Sequence, residues 1–125
     1  MSNPTKHYDS EGNYTESWLE NDTLHRLDGP AMIMKYKDGA YSEWWFVEGQ
    51  LHRIGGPAFT RDAKEEHEEK WYVDGVLHRE DGPASIEKNA EGYQERWFFK
   101  NEWHRVDGPA ILTKDKDGNV TSSIW

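Results

Sequence analysis

The sequence predicts an all-β fold, a single domain of stacked antiparallel β-hairpins drawn out into an elongated ribbon. Three observations predict it. An eight-residue phrase occurs four times, with its His stepping by 27, 26 and 26 residues. The segments before each phrase alternate with period two, and residues that favour tight turns stand between them. With 125 residues the chain has room for one domain.

The elements follow in order. Residues 1–13 are expected to cap the start, and residues 14–125 to hold four hairpin repeats and a partial fifth that opens at residue 111. Within a repeat the first strand reads as Tyr41-x-Glu43-x-Trp45-x-Val47, which places these four side chains on one face. The same columns hold Tyr14, His67 and Tyr93, then Glu16, Glu69 and Glu95, then Trp18, Trp71 and Trp97. A two-residue turn comes next, at Asn21-Asp22, Glu48-Gly49, Asp74-Gly75 or Lys100-Asn101, all residues that tolerate positive φ. A short extended piece then carries the phrase. It reads Leu24-His25-Arg26-Leu27-Asp28-Gly29-Pro30-Ala31 in the first repeat and begins at Leu51, Leu77 and Trp103 in the others. Its Asp-Gly-Pro forces a second turn, and Pro suits the start of the next strand because its φ is fixed and it lacks an N–H. A third turn is expected at Asp38-Gly39, Glu91-Gly92 or Asp117-Gly118. In the second repeat, Arg61-Asp62-Ala63-Lys64-Glu65-Glu66 lacks Gly and reads as a ragged loop or one helical turn. The run 65–69 continues the strand columns.

Composition narrows the function. Seven Trp, six Tyr and four Phe offset a mean hydropathy of -1.07 and can supply a thin aromatic core. The absence of cysteine excludes a disulfide scaffold, a thiolate metal site and a thiol nucleophile. No apolar run reaches the roughly 18 residues of a membrane-spanning helix, and Met1-Ser2-Asn3-Pro4 does not begin a secretory signal. The reading is therefore a cytoplasmic protein without a membrane partner. A net charge of -9 argues against direct binding of DNA or RNA, since phosphates would be repelled.

The motif aromatic-x-[Asp/Glu/Asn]-Gly-x-Leu-His, as in Phe46-Val47-Glu48-Gly49-Gln50-Leu51-His52, resembles the MORN repeat and its bacterial variant. The whole phrase is more similar still to the LHRxDGPA repeat of many small bacteriophage proteins. The resemblance covers about residues 14–125. It implies a MORN-like ribbon of hairpins that serves as an interaction scaffold. Arg26, Arg53, Arg79 and Arg105 stand where the common MORN pattern has Gly after His.

Two sets of residues compete for function. His25, Arg26, His52, Arg53, His78, Arg79, His104 and Arg105 form a ladder that could grip a phosphate-bearing ligand, with Trp faces for a base to stack on. Against that, each Arg is expected to pair with the Glu two before the Trp or with the Asp of its turn, and each His with a turn carbonyl. Recurrence in every repeat favours the structural role, because each hairpin solves the same burial problem. The Trp column likewise reads as a hydrophobic spine. No metal is expected on the His column: successive His lie two or more strands apart, roughly 10 Å, too far for one ion. The second set breaks the repeat. Trp44 replaces a polar residue, Trp103 replaces Leu, and the last segment ends on Ile124 and Trp125, with Ile124 in the Trp position. These four are the candidate interface.

Carboxylates recur without one distinct constellation and no nucleophile motif is present, so no catalytic residue and no cofactor are expected. The sequence reads as a non-enzymatic protein-binding module. The phage resemblance implies a host protein, a defence factor, as the target it inhibits. The alternatives are a binder that sequesters a nucleotide through Trp, His and Arg, and a nucleic-acid mimic built on the acidic surface. The final strand, short and uncharged, is expected to pair with a partner's edge or with a second copy as a homodimer.

Overall fold

A computed structural model describes residues 3–125; Met1 and Ser2 of the expected cap lie outside the described residues. The fold is all-β, with no helix among the described residues. Ten strands form one antiparallel meander: β1 (Thr5–Tyr8), β2 (Tyr14–Ser17), β5 (Met32–Lys35), β6 (Tyr41–Trp44), β9 (Phe59–Ala63), β10 (Glu66–Lys70), β13 (Ser85–Asn89), β14 (Gly92–Arg96), β17 (Ile111–Asp115) and β18 (Val120–Ile124). They lie side by side in chain order, and β1 and β18 remain as open edges. The sheet is not closed into a barrel.

Eight two-residue strands build four small hairpins, here called tabs: β3 (Leu19–Glu20) with β4 (Thr23–Leu24), β7 (Phe46–Val47) with β8 (Gln50–Leu51), β11 (Tyr72–Val73) with β12 (Val76–Leu77), and β15 (Phe98–Phe99) with β16 (Glu102–Trp103). Each tab interrupts the meander between two long strands. All four therefore project from one rim, while the turns joining β1–β2, β5–β6, β9–β10, β13–β14 and β17–β18 make up the other rim.

Turn chemistry explains the tabs. Both turn residues have positive φ in every case, from 50° at Glu48 and Asp74 to 80° at Gly49, which is the backbone of a two-residue hairpin that follows strand twist. Neighbouring tabs are bonded to each other. The Arg26 N–H donates to the Phe46 carbonyl at 3.0 Å and the Gly49 N–H donates to Leu24 at 2.9 Å. Arg53 with Tyr72 and Gly75 with Leu51 repeat this pair, as do Arg79 with Phe98 and Asn101 with Leu77.

The deepest residues are small. Ala31, Ala58 and Ala84 are fully buried, and Gly29, Gly56, Gly82 and Gly108 are buried beside them. The ladder explains why. Extending its register by one residue sets Ala31 between Trp18 and Trp45, Ala58 between Trp45 and Trp71, and Ala84 between Trp71 and Trp97. The Trp 18–Ala 31 contact is itself a backbone bond of 2.8 Å. So the expected spine is an alternation of Trp with Ala, and the Trp rings are half-buried, not enclosed. A single sheet has no second layer to close over them; the Arg side chains described below lie over them instead.

Two further expectations are corrected. The second repeat makes neither a loop nor a helical turn. Its strands run through, with Ala63 opposite Glu66 and only Lys64-Glu65 in the turn, and neither turn residue needs positive φ. At the end of the chain the pairing of β17 with β18 slips between Thr113 and Lys114, so Thr121 is an extra residue. That bulge moves Ile124 opposite Ile111, into the column of Trp44, and brings Trp125 rather than Ile124 into the Trp column.

Candidate functional site

The ladder of His and Arg sits where the tabs meet the sheet. Each phrase folds back so that its Arg lies over the Trp eight residues earlier. The guanidinium carbon is 4.0, 3.8, 3.8 and 4.1 Å from the ring centroid for Arg26 on Trp18, Arg53 on Trp45, Arg79 on Trp71 and Arg105 on Trp97. The opposite face of each guanidinium rests on the Gly of the same phrase. A Cβ on Gly29, Gly56, Gly82 or Gly108 would stand 2.5–2.7 Å from the guanidinium carbon, closer than van der Waals contact permits. Gly is required here for space, since none of the four has positive φ.

Hydrogen bonds fix the guanidinium in that slot. Its Nη1 donates to the Pro carbonyl four residues on, at 3.2–3.3 Å in all four repeats. Its Nε donates to the turn Asp at 3.1 Å for Arg26–Asp28 and 3.2 Å for Arg79–Asp81, whereas Arg105 and Asp107 form an ion pair at 3.6 Å without a hydrogen bond. Arg53 has no such partner because Gly55 stands in place of Asp. Arg105 alone also approaches the Glu two before its Trp, with Glu95 at 3.6 Å. The Trp face that a stacked base would use is thus taken by the protein's own cation.

The His ring does not bond a turn carbonyl, as its sequence position suggested. Its Nδ1 accepts the first turn N–H of the next tab: Glu48 to His25, Asp74 to His52 and Lys100 to His78, each at 3.0 Å. An accepting Nδ1 places the proton of the neutral ring on Nε2. These rings are staples between tabs. His104 has no tab beyond it and is exposed.

The neighbouring Tyr and Glu columns are coupled in the same repetitive way. Tyr14, Tyr41 and Tyr93 donate their hydroxyls to Glu16, Glu43 and Glu95, at 2.6 Å each. The bond to Glu16 pushes the Tyr14 hydroxyl up to about 12; burial and then the Glu bond raise Tyr41 and Tyr93 as well. His67 takes the Tyr place, with Nε2 at 2.8 Å from Glu69, while its Nδ1 meets Asp62 at 2.5 Å.

The four candidate interface residues are not one patch. Trp44 is half-buried on the sheet face opposite the Trp column, with its ring 5.3 Å from Phe59. Ile124 ends the same row six strands away. Trp103 is 58% exposed in the fourth tab and Trp125 is 81% exposed at the tab rim. The last three gather at the C-terminal end of the ribbon.

A further set escaped the sequence reading. Position x of the phrase holds Leu27, Ile54, Glu80 and Val106; the three aliphatic ones are 77%, 75% and 90% exposed. The available signal was their apolarity at the one place in the phrase with no structural duty. A depression of about 660 Å³ lies at the opposite rim around Arg61, Glu66, Asn89 and Glu91, remote from the ladder.

No family model matches the chain, and no curated protein matches it.

Proposed function

We propose that this chain is a non-enzymatic protein-binding module whose contact surface is the tab rim together with the C-terminal end of the ribbon. The exposure of Leu27, Ile54 and Val106 carries this reading. In the phrase that holds them, the other conspicuous residues are used internally: His as staple, Arg on Trp, Gly for space, Pro as acceptor, Ala as filler. Aliphatic side chains spaced along one rim of an acidic, hydrophilic protein are suited to a protein surface. Trp103, Val120, Ile124 and Trp125, all exposed, extend that surface to β18, whose open edge is suited to a partner's strand.

Resemblance to the bacteriophage LHRxDGPA proteins directs the choice of partner to a bacterial host protein, with inhibition of a defence factor as the biological outcome. The test is affinity capture from bacterial lysate with the wild type and with a Leu27→Lys/Ile54→Lys/Val106→Lys variant of unchanged circular dichroism. A host protein held by the wild type and lost by the variant supports the reading. Equal capture by both, or a thermal shift of the wild type by nucleotides with no protein captured, overturns it in favour of a small-ligand binder.

A further inference from the structure

We propose that two copies of this chain join through the free edge of the fourth tab, related by a two-fold axis at His104. The three internal tab junctions define what that edge can bind. In each, the residue before His accepts a turn N–H through its carbonyl, the His Nδ1 accepts the adjacent turn N–H, and the Arg N–H donates to a carbonyl. In the fourth tab the same three groups are the Trp103 carbonyl, the His104 Nδ1 and the Arg105 N–H. The β15–β16 register and the His104-to-Trp97 bond turn the Trp103 carbonyl and the Arg105 N–H away from their own tab, and no bond to either joins them to another tab among the described residues; Trp103 and His104 are exposed where Leu24, Leu51, Leu77 and their His are half-buried.

This edge completes itself. In an antiparallel pair, a residue in a non-hydrogen-bonded position is flanked by bonds from the following N–H to the preceding carbonyl of the partner, in both directions. Centred on His104, these bonds run from Arg105 of one copy to Trp103 of the other and back again. A donor and an acceptor that the internal junctions already use satisfy each other across the axis, which is the condition for an isologous dimer. Trp103, standing where the other tabs have Leu, adds ring area at the centre of the contact.

Topology rejects the other arrangement of copies. The first tab exposes a complementary edge, but seating it on the fourth would place its own β1–β2 hairpin on β17–β18, which already occupy the sheet there. In the two-fold pair the second tab enters from the opposite direction, and its sheet lies beyond the Lys100-Asn101 turn.

Light scattering and sedimentation equilibrium of the whole chain test the axis. The wild type is expected to shift with concentration from 14.7 kDa to twice that mass. His104→Asp and His104→Lys each place like charges opposite one another, so each alone should stay monomeric. Their equimolar mixture should recover the dimer. Ile124→Lys on β18 should dimerise like the wild type. A wild type monomeric at every concentration, single His104 variants that dimerise, a mixture that stays monomeric, or dissociation by Ile124→Lys would each overturn the proposal.

Discussion

Arg79 shows how a residue of the phrase is held. It lies between the Trp71 ring at 3.8 Å and Gly82, with Pro83 and Asp81 accepting its protons. Gly82→Ala inserts a Cβ 2.5 Å from the guanidinium carbon, so the Arg79 side chain must shift out of its slot on Trp71 and give up part of the stack and its hydrogen bonds. Overpacking of this kind costs about 1–3 kcal/mol, to be read from urea denaturation; unchanged stability would show that the slot is loose. The pairing with Asp81 was legible in the sequence because the two residues are two apart in a turn. The stack on Trp71 was not. It requires the chain to fold back through a tab and lay residue 79 over residue 71, a contact that period-two alternation does not report.

Among the elements, those fixed by local backbone chemistry were legible and those fixed by register were not. Asn21-Asp22, Glu48-Gly49, Asp74-Gly75 and Lys100-Asn101 announced the tabs because few residues accept positive φ. Lys64-Glu65 carries no such mark, which is why residues 61–66 read in sequence as a ragged loop or one helical turn. The bulge at Thr121, which decides that Trp125 and not Ile124 joins the Trp column, is set by the pairing of β17 with β18 and leaves no trace in composition. The β9–β10 pair offers a test at this scale, because His67 ties it by bonding Glu69 on its own strand and Asp62 across it. These two carboxylates, Glu69 first, raise the imidazole pKa above its ordinary value. A raised folded-state pKa contributes stability that is complete below the unfolded value of about 6.5 and lost as pH rises through the folded value. The melting temperature is therefore expected to fall from mildly acidic to mildly alkaline pH more steeply in the wild type than in His67→Tyr, which restores the column's usual residue. Parallel pH profiles for the two proteins would contradict the tie.

At the scale of the whole molecule, a one-layer ribbon is stabilised chiefly by contacts between neighbours along its length. Each repeat supplies the next with a staple, two tab bonds and a Trp–Ala step. Such a scaffold devotes its recurring phrase to construction; under the proposed function, the exposed aliphatic residues and the C-terminal end are what remains to meet a partner. The sharpest division between that design and a ligand-gripping ladder is thermal denaturation of the wild type and Arg79→Ala, each with and without ATP. Loss of the stack and its hydrogen bonds removes about 1–3 kcal/mol, so Arg79→Ala is expected to melt several degrees lower, with no rise in either protein on adding the nucleotide. An Arg79→Ala protein that melts with the wild type, while ATP stabilises the wild type alone, would contradict the structural role and assign the ladder to a ligand.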